Sequence, residues 1–182
     1  MVQQKNKILL HACCAVCLGY SAKKLEEEGY EFIVFFFNPN IYPLAEYTRR
    51  KNELITFCDK KGYKYIIEEN AHDSWLEFIK GFENEPEKGK RCNLCFEYRL
   101  LKTAQKAKEL GLDKITTTLS ISPHKVSKNI FAAGEKVCKG MGIEFLEIDF
   151  KKQDGFKKTN EIAQEYGLYR QKYCGCEFSI KA

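Results

Sequence analysis

The sequence contains no apolar run long enough to cross a membrane, because its apolar segments stop far short of the ~18–20 residues that a span requires. It has no internal repeat and no low-complexity segment. Its first seven residues, MVQQKNK, include no leader-like apolar stretch with a small-residue cleavage site. These absences argue against a membrane or secreted protein and predict a soluble, cytoplasmic one.

Glycine is missing from the segment that follows the first predicted strand. The chain has no glycine before Gly19, whereas a phosphate-binding loop at that position needs glycines to let backbone amides approach the phosphates. Cysteines occupy the segment instead. We therefore do not expect ATP or a dinucleotide to bind there.

What the chain does contain is typical of one globular domain spanning 1–182. Of its 182 residues, 44% are hydrophobic and 30% are charged, which excludes disorder. The net charge of +5 permits a polyanionic partner without requiring one. The nine cysteines are unusual for a chain of this length. In a cytoplasmic protein they are expected to be reduced, metal-bound or catalytic.

Short apolar runs alternate with helical patterns along the chain. The apolar runs predict strands at 7–12, 32–37, 65–67, 114–119 and 145–150. The helical patterns predict helices at 18–28, 46–61, 94–110, 129–140 and 159–166. This order predicts an α/β fold: a five-stranded, mainly parallel, Rossmann-like sheet with helices on both faces. Such sheets bind ligands where the strand order reverses, which points to the loops after the first and fourth strands.

Seven of the nine cysteines form three groups, the first of which lies in that first loop. The groups are Cys13, Cys14 and Cys17; Cys92 and Cys95; and Cys174 and Cys176. Two C-x-x-C pairs that converge would give four thiolates, which suit zinc or an iron–sulfur cluster. A structural zinc site is closed by four ligands, so the surplus thiols favour redox work or a second metal. A zinc-binding module that contacts RNA and a metal-free thiol oxidoreductase are the alternatives.

The Cys174-Gly175-Cys176 segment predicts an easily reduced disulfide, because one intervening residue closes only a small, strained ring. Two further metal ligands or inert thiols are the alternative. Cys58 and Cys138 lie in helical patterns among apolar residues and are predicted to be core side chains.

Three other side chains are candidates for proton transfer or pocket lining. His11 adjoins the cysteine loop, His124 lies in the loop after the fourth strand, and Glu46 follows a turn-rich segment that ends strand two. His72 is interpreted as part of a helix-cap region. The segment 168–173 interleaves aromatic and basic residues, which suits nucleotide stacking and phosphate contact, although a solvated helix end is equally compatible.

Five motifs, in this order, resemble the QueH family of epoxyqueuosine reductases over essentially the whole chain. They are LLHACCAVC at 9–17, NPNI at 38–41, RCNLCF at 91–96, TTLSISP at 117–123 and LYRQKYCGC at 168–176. The sequence departs from the family at Val16, where proline is usual, and at His124-Lys125, where Tyr-Gln is usual.

The resemblance implies a cobalamin-independent reduction of the epoxide of epoxyqueuosine, at the wobble position of tRNA, to queuosine. It also implies a nucleotide-hydrolase-like fold and a [4Fe–4S] cluster, with an additional iron associated with the site. The cluster ligands would be Cys13, Cys14, Cys92 and Cys95. Cys174 and Cys176 would be the redox-active pair, and Cys17 would ligate the cluster in place of Cys13 or bind the adjacent iron. We further expect a monomer that receives its electrons from a separate donor.

Overall fold

The computed structural model describes residues 6–69 and 71–180. The first five residues, on which part of the expectation about a leader depends, lie outside this range. Within the described residues, no helix is both long and apolar enough to span a membrane.

The five predicted strands form one sheet in which every neighbouring pair is parallel. The strands are β1 (Lys7–His11), β2 (Glu31–Phe36), β3 (Tyr65–Ile67), β4 (Lys114–Thr117) and β5 (Glu144–Phe145). Their order across the sheet is β3-β2-β1-β4-β5. The direction of winding therefore reverses between β1 and β4, as predicted, and the fold class is confirmed.

Alternating side chains of the central strands enter two cores, one on each face of the sheet. Leu9 and Phe35 pack into one hydrophobic cluster, whereas Leu10 and Phe36 pack into the other. All four are fully buried. This is why the strands are apolar throughout: a parallel sheet covered by helices has no face left for water.

The helices match the predicted pattern, with one addition. They are α1 (Ala15–Glu27), α2 (Leu44–Lys61), α3 (His72–Phe78), α4 (Lys90–Glu109), α5 (Ser127–Cys138) and α6 (Gly155–Glu165). Sequence reasoning found only a cap region at His72 and missed the seven-residue α3, which has no side-chain cap hydrogen bond at its start. Its buried residue is Trp75, whose aromatic ring fixes the helix against the core.

The fifth strand is shorter than predicted, because side-chain hydroxyl groups take the place of backbone hydrogen bonds after Phe145. Leu146 N still donates to Ile115 O at 2.9 Å. Beyond it, Thr116 Oγ1 donates to Leu146 O at 2.9 Å and Ser120 Oγ donates to Ile148 O at 2.7 Å. The segment to Phe150 thus stays beside β4 without being a strand.

Candidate metal centre

The first cysteine group lies where β1 ends and α1 begins, at the reversal point of the sheet. Cys14 is the N-cap residue of α1, and its sulfur accepts a hydrogen bond from Cys17 N at 3.4 Å. The Sγ atoms of Cys13, Cys14 and Cys17 all lie within 4.8 Å of one another. Cys17, which the spacing pairs with Cys14 and for which the resemblance leaves two roles open, belongs to this cysteine triad. The three sulfurs could hold a metal ion.

The other two cysteine groups face the same space as the triad. Cys92 and Cys95 lie in the first turns of α4, and Cys174 and Cys176 lie in the irregular C-terminal segment. A cavity of about 590 Å³ is lined by six of the seven grouped cysteines, all except Cys14. Among the described residues, however, the triad is the only set of three or more potential ligands whose atoms approach within 4.8 Å. The fold thus gathers the cysteines without closing them into a compact four-ligand site.

Hydrogen bonds and positive charge favour ionisation of one thiol in the triad. Hydrogen bonds from the Cys14 and Cys17 thiols hold the pKa of Cys13 well below its usual range, and the charges of Lys125 and Arg99 act in the same direction. The same interaction with Cys13 raises the pKa of Cys14 and of Cys17 above the ordinary value. Cys13 is therefore the first of the three to become a thiolate.

Two cations for which the sequence predicts no role, Lys125 and Arg99, lie beside the sulfurs. Burial alone would lower the pKa of Lys125, but the thiols of Cys174, Cys13 and Cys17 raise it above its ordinary value. Arg99 is buried one turn after Cys95 on α4. Burial raises the pKa of the Cys95 thiol, and the positive charge of Arg99 partly offsets this increase. The four-residue spacing of Cys95 and Arg99 on a helix is the signal that could have found this pair.

Nitrogen donors also surround the sulfurs. Gln171 Nε2 donates to Cys14 Sγ at 3.2 Å, and Lys88 N donates to Cys92 Sγ at 3.3 Å. Within the described part of the chain, the buried Nε1 of Trp75 and Nε of Arg99 have no acceptor, although both residues line the cavity. Soft thiolate ligands with N–H donors around them fit a thiophilic metal centre.

Of the three proton-transfer candidates, only His124 lines the cavity. His11 is fully buried: Nε2 lies 3.1 Å from Phe37 O and Nδ1 lies 2.9 Å from Thr117 Oγ1. Because the carbonyl can only accept, Nε2 carries the proton. Burial, with Arg99 nearby, lowers the pKa of His11 to about 3, so the ring is neutral.

The two remaining cysteines lie in the cores, apart from the cavity. Cys58 on α2 is fully buried, and Cys138 at the end of α5 is nearly so. Burial raises the pKa of Cys58 to about 12 and that of Cys138 to about 11. Neither lines the cavity, which agrees with their interpretation as core side chains.

Fold and site together define an α/β protein with a cysteine-rich candidate metal centre at the reversal point of a parallel sheet. The model of the family "Epoxyqueuosine reductase QueH" matches residues 8–182, and the chain belongs to that family. Relatives of this name include a Histophilus somni protein, 38% identical over 97% of this chain and 73% of its own length. A Streptococcus pyogenes relative is 40% identical over 97% of this chain and 71% of its own length.

A solved structure also shares the fold. The U34-tRNA thiolase NcsA from Methanococcus maripaludis, solved with its [4Fe-4S] cluster, superposes with a TM-score of 0.60. The match covers 98% of this chain and 63% of that protein at 14% identity, so it supports the fold alone.

Proposed function

We propose that this chain is an epoxyqueuosine reductase that acts on tRNA, reducing the epoxide of the wobble nucleoside epoxyqueuosine to the cyclopentene of queuosine. The observation that carries the proposal is the family match over residues 8–182, on a chain whose grouped cysteines meet at one cavity. A closed zinc module would not need so many sulfurs at an open cavity.

The reaction needs two electrons and two protons. Both C–O bonds of the epoxide break, a C=C bond forms, and the oxygen leaves as water. Oxidation of two thiols to a disulfide releases the same two electrons and two protons. We assign Cys174 and Cys176 as the pair that stores them. An electron donor outside the chain must then reduce the disulfide after each turnover.

Five cysteines make up the proposed metal-binding set. Cys13, Cys14, Cys92 and Cys95 would hold a [4Fe–4S] cluster, and Cys17 would ligate the cluster in place of Cys13 or bind an additional iron. When bound, the cluster supplies one-electron transfer to the reacting centre. The thiolate character of Cys13 and the N–H donors directed at Cys14 and Cys92 support this donor set.

The cavity suits a nucleoside carried by a polyanion. Its volume of about 590 Å³ is within the range of small-molecule sites. Six cationic side chains and one acidic side chain line it. The cations are Lys88, Arg91, Arg99, Lys125, Arg170 and Lys172. His124 and Lys125 are the lining groups that could deliver a proton to the departing oxygen. Glu46 lies outside the lining and forms an ion pair with Arg50, with 2.7 Å between Glu46 Oε1 and Arg50 Nε.

The test is anaerobic isolation followed by turnover. Iron and sulfide are measured per chain, and the protein is then incubated with reductant and tRNA that contains epoxyqueuosine. Mass spectrometry of the released nucleosides should show the loss of one oxygen atom. One zinc without sulfide, or iron-loaded protein that never removes the oxygen, would refute the proposal.

Single substitutions sharpen the test. Cys14→Ala and Cys95→Ala should each abolish the iron-dependent absorbance and turnover. Cys138→Ala, which removes a thiol outside the cavity, is the matched control and should retain both. Gel filtration of the same preparations tests the monomeric state, and cell fractionation tests the cytoplasmic location, which are both part of the proposal.

A further inference from the structure

One side of helix α2 holds the C-terminal segment that carries the Cys174 and Cys176 thiols. The side chains are Glu46, Arg49, Arg50 and Glu53, whose spacing of three and four residues puts them on one helix face. Residues 168–176 contain no helix or strand. Contacts with side chains and backbone groups outside the segment therefore fix its conformation.

Arg50 makes the contacts that reach the cysteine turn itself. Its Nη1 donates to Cys174 O at 3.0 Å, and its Nη2 donates to Tyr173 O at 3.2 Å. The guanidinium group thus bridges two consecutive carbonyl groups. Its Nε donates to Glu46 Oε1 at 2.7 Å, which balances the charge of a side chain only 2% exposed. A buried arginine with these partners has few other orientations open to it.

Gly175, between the two cysteines, packs closely against the guanidinium group of Arg50. Gly175 has a φ of +119°, which side-chain-bearing residues rarely adopt. A Cβ atom at this position would lie 3.0 Å from Arg50 Nη1 and 3.0 Å from Ile41 Cγ1. Tyr42 N also donates to Gly175 O at 2.8 Å. The turn is consequently held by hydrogen bonds to three successive carbonyl groups.

We propose that Arg50 is a positioning residue that holds the Cys174-Gly175-Cys176 turn in its dithiol conformation and so sets the balance between dithiol and disulfide. This inference rests on the redox role proposed above for the pair. Arg50 does not line the cavity. It acts through its hydrogen bonds to the backbone of the turn, beside the Tyr173 ring, whose centroid lies 5.2 Å from Arg50 Cζ.

The direction of the effect follows from which state Arg50 stabilises. Both cysteines are free thiols in the structure. Closing the disulfide makes the turn a small ring, and we expect this change to break the hydrogen bonds from Arg50 to the two carbonyl groups. Arg50 therefore opposes oxidation. Removing it should make the pair easier to oxidise and lower its reduction potential.

The experiment equilibrates metal-free protein with mixtures of glutathione and glutathione disulfide. Oxidation of the pair consumes one glutathione disulfide and yields two glutathione molecules, which balances atoms and electrons. The tryptic peptide 173–181 contains both cysteines of the pair and no others, so mass spectrometry after alkylation reports this couple alone. For Arg50→Gln we expect about a tenfold shift toward the disulfide, which corresponds to about 30 mV.

The matched control is Arg49→Gln, which removes the same charge and a contact with Tyr169 in the same segment, but leaves the hydrogen bonds from Arg50 to the turn in place. Arg49 lies over the Tyr169 ring at 3.4 Å, and no hydrogen bond to the turn is found for it among the described residues. The dithiol–disulfide equilibrium constant of the Arg49→Gln variant should stay within twofold of that of the unmodified chain. A tenfold shift in the control would show that loss of a positive charge, and not loss of the Arg50 hydrogen bonds, causes the effect. This result would overturn the inference.

Two variants decide the question if Arg50→Gln does not fold. Arg50→Lys keeps the charge but cannot bridge two carbonyl groups, so it should shift the equilibrium in the same direction. Gly175→Ala displaces the turn from Arg50 and should do the same. Folded variants with an unchanged constant would refute the inference. Because the measurement uses neither tRNA nor metal, its outcome is independent of whether the chain reduces epoxyqueuosine.

Discussion

Arg99 Nη2 donates a hydrogen bond to Asn38 Oδ1 at 2.5 Å, and both side chains are buried. Asn38 Nδ2 in turn donates to Ala12 O at 2.9 Å. One asparagine, placed just beyond the end of β2, therefore connects the cysteine loop after β1 to the cysteine-bearing helix α4. The relative position of the first two cysteine groups depends on this connection.

Asn38→Ala should destabilise the protein by about 2–4 kcal/mol, because it leaves a buried guanidinium donor and a buried carbonyl group unsatisfied. The measurement is urea unfolding of the metal-free chain. Asn52→Ala, at an exposed position on α2, is the control and should change stability by less than about 0.5 kcal/mol. A loss of less than about 1 kcal/mol in the free energy of unfolding for Asn38→Ala would show that the Arg99–Asn38 hydrogen bond contributes little to stability.

The exposed cations around the cavity should determine how RNA binding depends on salt. Lys88, Arg170 and Lys172 are exposed lining residues, and within the described part of the chain none lies within 4.0 Å of a carboxylate. Each replacement by alanine should reduce the slope of log affinity against log salt by about 0.7 per lost phosphate contact.

The binding measurement uses an anticodon stem-loop RNA at several salt concentrations. Lys139→Ala is the control, since Lys139 is exposed but lies outside the cavity lining. Equal slopes for the control and the three cavity variants would place the RNA elsewhere on the protein.

Alkylation should separate the core thiols from the cavity thiols. With pKa values of about 12 and 11, Cys58 and Cys138 carry almost no thiolate at pH 8. In metal-free protein they should remain unmodified by iodoacetamide, while the partly exposed Cys174 reacts. Their modification should rise as the pH approaches those values, or when urea unfolds the chain. Rapid labelling of Cys58 in folded protein at pH 8 would contradict its burial.

Gly134→Ala should destabilise the packing of α5 on β5. A Cβ atom at position 134 would lie 2.5 Å from the ring of Phe145, and overpacking of this kind costs about 1–3 kcal/mol. Thermal or urea unfolding measures the loss, and Phe145→Leu in the same chain should recover part of it by removing the obstructing ring. Equal stability of Gly134→Ala and the unmodified chain would mean that β5 can move away freely.

Periodicity predicted the five strands and five of the six helices, because buried parallel strands and amphipathic helices leave strong patterns. It missed α3, which has only about two turns, one buried residue and no capping side chain. It also extended β5 too far, since the apolar residues after Phe145 pack in the core while hydroxyl groups of β4 and the following turn bind their backbone. The single-domain organisation and the roles of individual cysteines stay predictions.

The sequence by itself determined the α/β fold, the position of the cysteine loop at the sheet reversal and the family, because motif spacing and the succession of strands and helices can be read along the chain. Tertiary structure decided which cysteines meet. It placed Cys17 with Cys13 and Cys14, gathered six cysteines around one cavity, and engaged Glu46 with Arg50 beneath the cysteine turn. The cavity brings Cys13 and Cys176 together, and Arg50 donates to Cys174 O across 124 positions of the chain. Only packing and burial select contacts of this length.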